Sequence, residues 1–167
     1  SITAVDCGKA VDTSMGFTPQ EGLPMGTRCG TIDPSIIEYV CKQSGMTVSE
    51  VNDALNKKSG LLGVSGVSND ARYVWAAANE GNERAALAME LLVRQAKKII
   101  GSYIAEMNGL DILCFTAGIG EHAPYIREHA LSGLEYLGVK LDPERNNFGH
   151  SGDPVKISAD DSKVAVY

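Results

Sequence analysis

The sequence predicts an α/β domain in which helices flank a mixed sheet, and three patterns carry that expectation. Short alternating segments stand near both ends. Periodic segments with helix caps fill the middle, and one near-continuous apolar run, 110–117, leads into a glycine pair. The alternation begins at once: Thr3 separates Ile2 from Ala4, Asp6-Cys7-Gly8-Lys9 reads as a turn, and Ala10 and Val11 resume, which predicts a β-hairpin.

Helical punctuation follows. Asp33 before Pro34 is an N-cap with proline in the first turn, and Ile36, Ile37, Tyr39 and Val40 carry a helix to about Ser44-Gly45. Thr47-Val48-Ser49-Glu50 has the form of a capping box for a helix running to about Lys58 and closed by Ser59-Gly60. Asn82 caps the longest candidate, 83–107, with Leu87, Leu91, Ala96, Ile99, Tyr103 and Met107 on one stripe and Asn108-Gly109 as its stop. Residues 110–117 suit a strand covered on both faces, broken at Gly118-Ile119-Gly120. Pro124 then opens a helix carrying Ile126, Leu131, Leu134 and Leu137 before Gly138. Val139-Lys140-Leu141 resumes extended structure, and 154–158 and 163–167 read as two further strands. No internal repeat is present. Because the chain opens without methionine and its last strand stops on the final residue, both ends are expected to be cut, leaving a piece of a larger protein.

Composition narrows the function. In 167 residues, 44% are apolar and 22% charged, which suffices for one ordinary core of a soluble globular domain. With 15 basic against 21 acidic residues and a net charge of -6, no global positive field gathers polyanions, so nucleic acid and membrane are not expected as partners. The apolar runs fall far short of the roughly 20 residues that span a bilayer, and no leader pattern opens the chain, so a cytoplasmic protein is expected. Cys7, Cys29, Cys41 and Cys114 show no C-x-x-C spacing and are expected to be free buried thiols. His122, His129 and His150 lack the spacing of a zinc site.

Three motifs could carry chemistry. The strand, glycine turn and helix around Gly118 and Gly120 could either turn the chain tightly or present free amides to a phosphate. The same stretch satisfies G-x-G-x-x-A with Ala123 in the last place and Asp142 further on, a dinucleotide-binding pattern, although few residues follow for further β-α units. The irregular stretch 15–30 is too long for a plain connection, and its Phe17, Leu23 and Met25 argue against disorder. Its Arg28 is either a solvated cation or a planar partner for phosphate or carboxylate. In Ser65-Gly66-Val67-Ser68-Asn69-Asp70-Ala71-Arg72, Asp70 could simply cap the helix bearing Tyr73, Val74 and Trp75.

Asp12-Thr13-Ser14-Met15-Gly16-Phe17-Thr18-Pro19, Gly22-Leu23-Pro24-Met25-Gly26-Thr27-Arg28, Lys57-Lys58-Ser59-Gly60-Leu61-Leu62-Gly63 and Phe115-Thr116-Ala117-Gly118-Ile119-Gly120-Glu121 together closely resemble the acetate kinase family, in the same order and across essentially the whole chain. The resemblance implies most of the second, nucleotide-binding domain of such an enzyme. It also implies an actin-like ATPase (ribonuclease H-like) fold truncated at both ends. The family transfers the γ-phosphoryl group of ATP reversibly to acetate, giving acetyl phosphate and ADP, with Mg²⁺ and as a homodimer. Carried over by motif, Arg28 matches the catalytic arginine, and Pro19 matches a wall of the pocket for the acetate methyl group. Asp70, Ala71 and Arg72 match the segment around adenine and ribose, while Gly118, Ile119, Gly120 and His122 match its other side. Thr31 and His122 depart from the aspartate and asparagine more common in the family. The magnesium ligand is expected outside this chain, and the piece alone is expected to turn over little or not at all. A non-catalytic nucleotide-binding or dimerisation module, and a dinucleotide-dependent oxidoreductase, are the rival readings.

Overall fold

The computed structural model describes residues 1–147 and 152–167, so His150 lies outside the described residues. The α/β class holds, but the chain divides into two compact units, Ser1–Ile99 and Ile100–Tyr167, where one core was expected.

In the first unit, β1 (Thr3–Asp6) pairs antiparallel with β2 (Lys9–Thr13), Thr3 opposite Thr13 and Asp6 opposite Lys9. Cys7 and Gly8 both take positive φ, 47° and 79°, the backbone that a two-residue hairpin turn needs to match strand twist. After an irregular stretch comes α1 (Ser35–Ser44), where the Asp33 carboxylate accepts the Ser35 N–H at 2.9 Å. The capping box is present at α2 (Val48–Lys57): Thr47 Oγ1 accepts the Glu50 N–H, and the Glu50 carboxylate accepts the Thr47 N–H at 2.8 Å. A short helix that the sequence reading did not foresee, α3 (Gly60–Ser65), precedes α4 (Ala71–Asn79).

The long helix α5 (Glu83–Glu106) begins with Asn82 Oδ1 accepting the Ala85 N–H at 3.0 Å. Its stripe differs from the expected one. Ala85, Ala88, Met89, Leu92 and Ala96 are buried, whereas Leu87 and Leu91 are 48% and 43% exposed. Spacings of three and four residues link 85, 88, 92 and 96 into one face rich in small side chains that let neighbours approach closely, and Leu87 and Leu91 fall on another.

In the second unit, Ile100, Tyr103 and Ile104 of α5 are buried, and the helix stops at Asn108 and Gly109, both with positive φ. The expected covered strand shrinks to β3 (Ile112–Leu113), parallel to β4 (Ala165–Val166), with Phe115 N–H donating to the Tyr167 carbonyl just beyond. Ile112 is 57% exposed, because β3 is bonded along one edge only and no third strand flanks it among the described residues. The strands therefore form two separate pairs rather than one mixed sheet.

Next come α6 (Ala117–His122), α7 (Pro124–Leu131), a 3-10 turn Glu135–Leu137 and α8 (Pro143–Asn146). The helix after Pro124 ends earlier than Leu137, at a positive-φ Gly133. The expected strand at 154–158 leaves only a bridge from Ser158 to Leu141, although Ile157, Ser158, Val164 and Val166 are buried. All four cysteines are free but none is buried: Cys7 and Cys114 are exposed, Cys29 and Cys41 half-buried. Among the described residues, no helix is long and apolar enough to cross a membrane.

Candidate active site

In the first unit the site grows from a seam between the irregular stretch and α3. The first amides of a helix lack intrahelical acceptors. Around α3 they find them in the stretch 25–27: Ser59 N–H donates to Thr27 O at 2.9 Å, Leu61 N–H to Met25 O at 2.8 Å and Leu62 N–H to Gly26 O at 2.9 Å. No side chain caps this helix, since the Ser59 hydroxyl donates instead to Ala54 O. Cys29 N–H donates to Leu55 O of α2, and Met25 N–H closes the turn on the Arg28 carbonyl at 3.0 Å. Gly60 makes the approach possible: its φ is +58°, and a Cβ there would overlap the carbonyl oxygens of Met25 and Arg28.

Arg28 emerges half-buried from this fastened turn. Its Nε donates to Asn56 Oδ1 at 3.2 Å and Nη1 lies 3.9 Å from Met25 Sδ, while no carboxylate forms an ion pair with it among the described residues. A guanidinium held at its Nε edge, with no carboxylate of its own, is suited to an external phosphate or carboxylate. The same turn passes against the segment before α4: a Cβ on Gly26 would stand 2.6 Å from Asn69 O.

Asp70 follows as the N-cap of α4, its carboxylate accepting the Arg72 N–H at 2.9 Å. The Arg72 guanidinium closes on the same carboxylate through Nε at 3.0 Å and Nη2 at 2.6 Å. These bonds hold the Asp70 carboxyl down at about 2. The capping role weighed for Asp70 is thus present, and the exposed Arg72 fork is held on the same carboxylate. Ala71 is buried under the first turn of α4. Pro19 stands exposed near a fully exposed Phe17.

An open cleft of about 440 Å³ lies along the same seam, lined among others by Pro24, Cys29, Thr31, Lys58, Ser59, Gly60 and Leu91. None of the residues singled out from the sequence as site residues lines it, although Cys29 and Gly60 adjoin the turn that carries Arg28.

In the second unit, Gly118, Ile119, Gly120 and His122 lie within α6 rather than in an open turn, and the strained residue is Ala117, with φ 59°. The amides there are not all bare: Ala117 N–H donates to Glu121 Oε1 at 2.8 Å, so a carboxylate of the chain already occupies that donor. At the other end of α6, the buried Arg127 donates through Nη1 to Gly120 O at 2.7 Å and Glu121 O at 2.8 Å, and through Nε to Asn146 Oδ1 at 2.8 Å. A cation bonded to terminal carbonyls complements the negative end of a helix and ties α6 to α8. Sequence reasoning missed Arg127, Asn146 and Asn56. Asp142, the acid of the dinucleotide pattern, caps α8 by accepting the Glu144 and Arg145 N–H groups, so local structure accounts for it.

Among the described residues, no group of three or more His, Cys, Asp or Glu side chains is placed to hold a metal ion.

Comparison with known proteins follows the same lines. The pattern of the acetokinase family matches residues 1–167. An acetate kinase of Clostridium botulinum (strain Alaska E43 / Type E3) is 57% identical over 167 residues, which are 100% of this chain and 42% of that protein. One of Methanosarcina thermophila is 52% identical, over 100% of this chain and 40% of its own length. Among solved structures, Porphyromonas gingivalis acetate kinase superposes with a TM-score of 0.92 at 43% identity, over 98% of this chain and 41% of that one. A propionate kinase from Francisella tularensis subsp. tularensis SCHU S4 gives a TM-score of 0.88 at 44% identity, over 99% of this chain and 42% of that one. The chain thus spans about 42% of the length of such relatives. These matches overturn the dinucleotide-dependent oxidoreductase reading, and with its whole length inside the family pattern the chain belongs to the acetokinase family.

Proposed function

We propose that this chain forms most of the second domain of a cytoplasmic, homodimeric acetate kinase with an actin-like ATPase fold, which transfers the γ-phosphoryl group of ATP to acetate. A carboxylate oxygen of acetate attacks the γ-phosphorus, the bond from that phosphorus to the β,γ-bridging oxygen breaks, and ADP leaves with the electron pair. Phosphoryl transfer asks a protein mainly for positioning and for charge stabilisation of the transferring oxygens. Arg28 is the group in this chain that meets both demands.

The observation that carries the reading is the mounting of Arg28. Its turn is bound by the first amides of α3, and its guanidinium is directed by a neutral amide acceptor, with no carboxylate paired to it among the described residues. That mounting supports a role for Arg28 as a fixed cation at the phosphoryl in flight. Asp70, Ala71 and Arg72 in the first unit, and Gly118, Ile119, Gly120 and His122 in the second, are each assigned to nucleotide binding. Pro19 meets the acetate methyl group once the remainder of the enzyme closes over it. The exposed Leu87 and Leu91 on α5 suit the contact between two copies. Magnesium is assigned no ligand in this chain.

Replacing Arg28 by alanine in the intact enzyme tests the reading. The kcat for acetyl phosphate formation is expected to fall at least tenfold, about 1.4 kcal/mol of transition-state stabilisation, with smaller changes in KM. A smaller loss in kcat removes Arg28 from the reaction.

A further inference from the structure

We propose that Asn56 is the positioning residue for the Arg28 guanidinium. An arginine side chain carries roughly 2 kcal/mol of rotamer entropy, and a fixed backbone beneath it does not fix its head. The backbone at Arg28 is held by hydrogen bonds to α2 and α3, but among the described residues the head bonds just two acceptors: Asn56 Oδ1, 3.2 Å from Nε, and Met25 Sδ, 3.9 Å from Nη1. A thioether is a weak acceptor, so the amide decides where the fork points.

The placement of Asn56 makes that grip stiff. It sits in the last turn of α2, next to Leu55, whose carbonyl accepts the N–H of Cys29 at 2.9 Å. Two successive residues of one helix therefore hold two successive residues of the loop, one through a side chain and one through the backbone. Asn56 takes Nε alone, and Nη2, the other nitrogen on that edge, has no hydrogen-bond partner among the described residues. That free corner of the planar fork is where a phosphoryl oxygen can be met.

This inference rests on the reading of Arg28 given above, and the test separates the two. Steady-state kinetics of the intact enzyme would be measured for Arg28→Ala, Asn56→Leu, Asn56→Gln and the Arg28→Ala/Asn56→Leu double variant. The expected result is a fall in kcat of about tenfold for Asn56→Leu, with KM for ATP and for acetate changed less than about threefold. Asn56→Gln keeps a neutral amide acceptor within reach of the guanidinium, so its loss is expected to be smaller than that of Asn56→Leu. The double variant is expected to be no slower than Arg28→Ala alone, because a residue that acts only by aiming another adds nothing once that other is gone.

An Asn56→Leu enzyme within twofold of the parent overturns the proposal, as does Asn56→Gln as slow as Asn56→Leu, or a double variant with additive losses. A small effect of Arg28→Ala alone sinks the reading of Arg28 instead. If Asn56→Leu does not fold, Asn56→Ser, whose hydroxyl is too short to reach Nε, takes its place with the same expected outcome.

Discussion

Asp70 accepts from three nitrogens of Arg72, the main-chain amide and two of the guanidinium, and its carboxyl is held down at about 2 against an ordinary 3.8. A carboxylate whose folded value is depressed contributes stability that is complete above its unfolded value and disappears as pH falls through the folded one. The window for Asp70 therefore runs from about pH 5 down to about pH 2. Asp70→Asn isolates it, since asparagine is an equally good N-cap but does not titrate. Thermal melts of the two proteins are expected to differ most near neutrality and to converge as pH approaches 2. Parallel curves across the whole range would mean that the pair with Arg72 contributes nothing to the fold. Asp33 and Glu50, lowered by their own caps, titrate alike in both proteins and cancel.

At the scale of elements, what the sequence disclosed and what it hid divide by range. The capping box at Thr47 and Glu50, the Asn82 cap and the Asn108-Gly109 stop depend on residues within three or four positions of one another, and each stands where it was expected. The bonding of 25–27 to 59–62 joins residues more than thirty positions apart and leaves no periodic trace, so Ser59-Gly60 reads as the end of one helix when it is also the start of another. The strand at 110–117 was overread for a related reason. Apolar content shows what a segment can bury, not what lies beside it, and β3 is paired on one edge only. Arg28 was legible as a planar cation in a long loop, and its family match sharpened it, but Asn56 gave no local signal on α2.

Two glycine substitutions check this account with opposite signs. Gly60→Ala must leave the left-handed region or displace the Met25 and Arg28 carbonyls, and is expected to cost roughly 2–4 kcal/mol in denaturant unfolding. Gly101→Ala lies inside α5, where a Cβ meets nothing within 4 Å, and is expected to gain about 0.5–1 kcal/mol. Equal effects at the two positions would refute the assigned role of the seam.

For the molecule as a whole, the governing fact is that 167 residues match the family from end to end yet cover only 42% of a relative such as the C. botulinum enzyme. The chain supplies a mounted arginine in one unit and the α6 segment in the other. Pro19, carried over as a pocket wall, is exposed. Catalysis of phosphoryl transfer rests on several oriented groups acting on one transition state, and losing most of them costs many powers of ten rather than a proportionate share. Incubated with ATP, Mg²⁺, acetate and hydroxylamine, the 167-residue chain is therefore expected to give no acetyl hydroxamate above the uncatalysed background, whereas the intact enzyme gives it readily. Hydroxamate formed by the chain alone, at a rate that Arg28→Ala abolishes, would show that the catalytic apparatus lies wholly within these residues and that the need for a second domain is wrong.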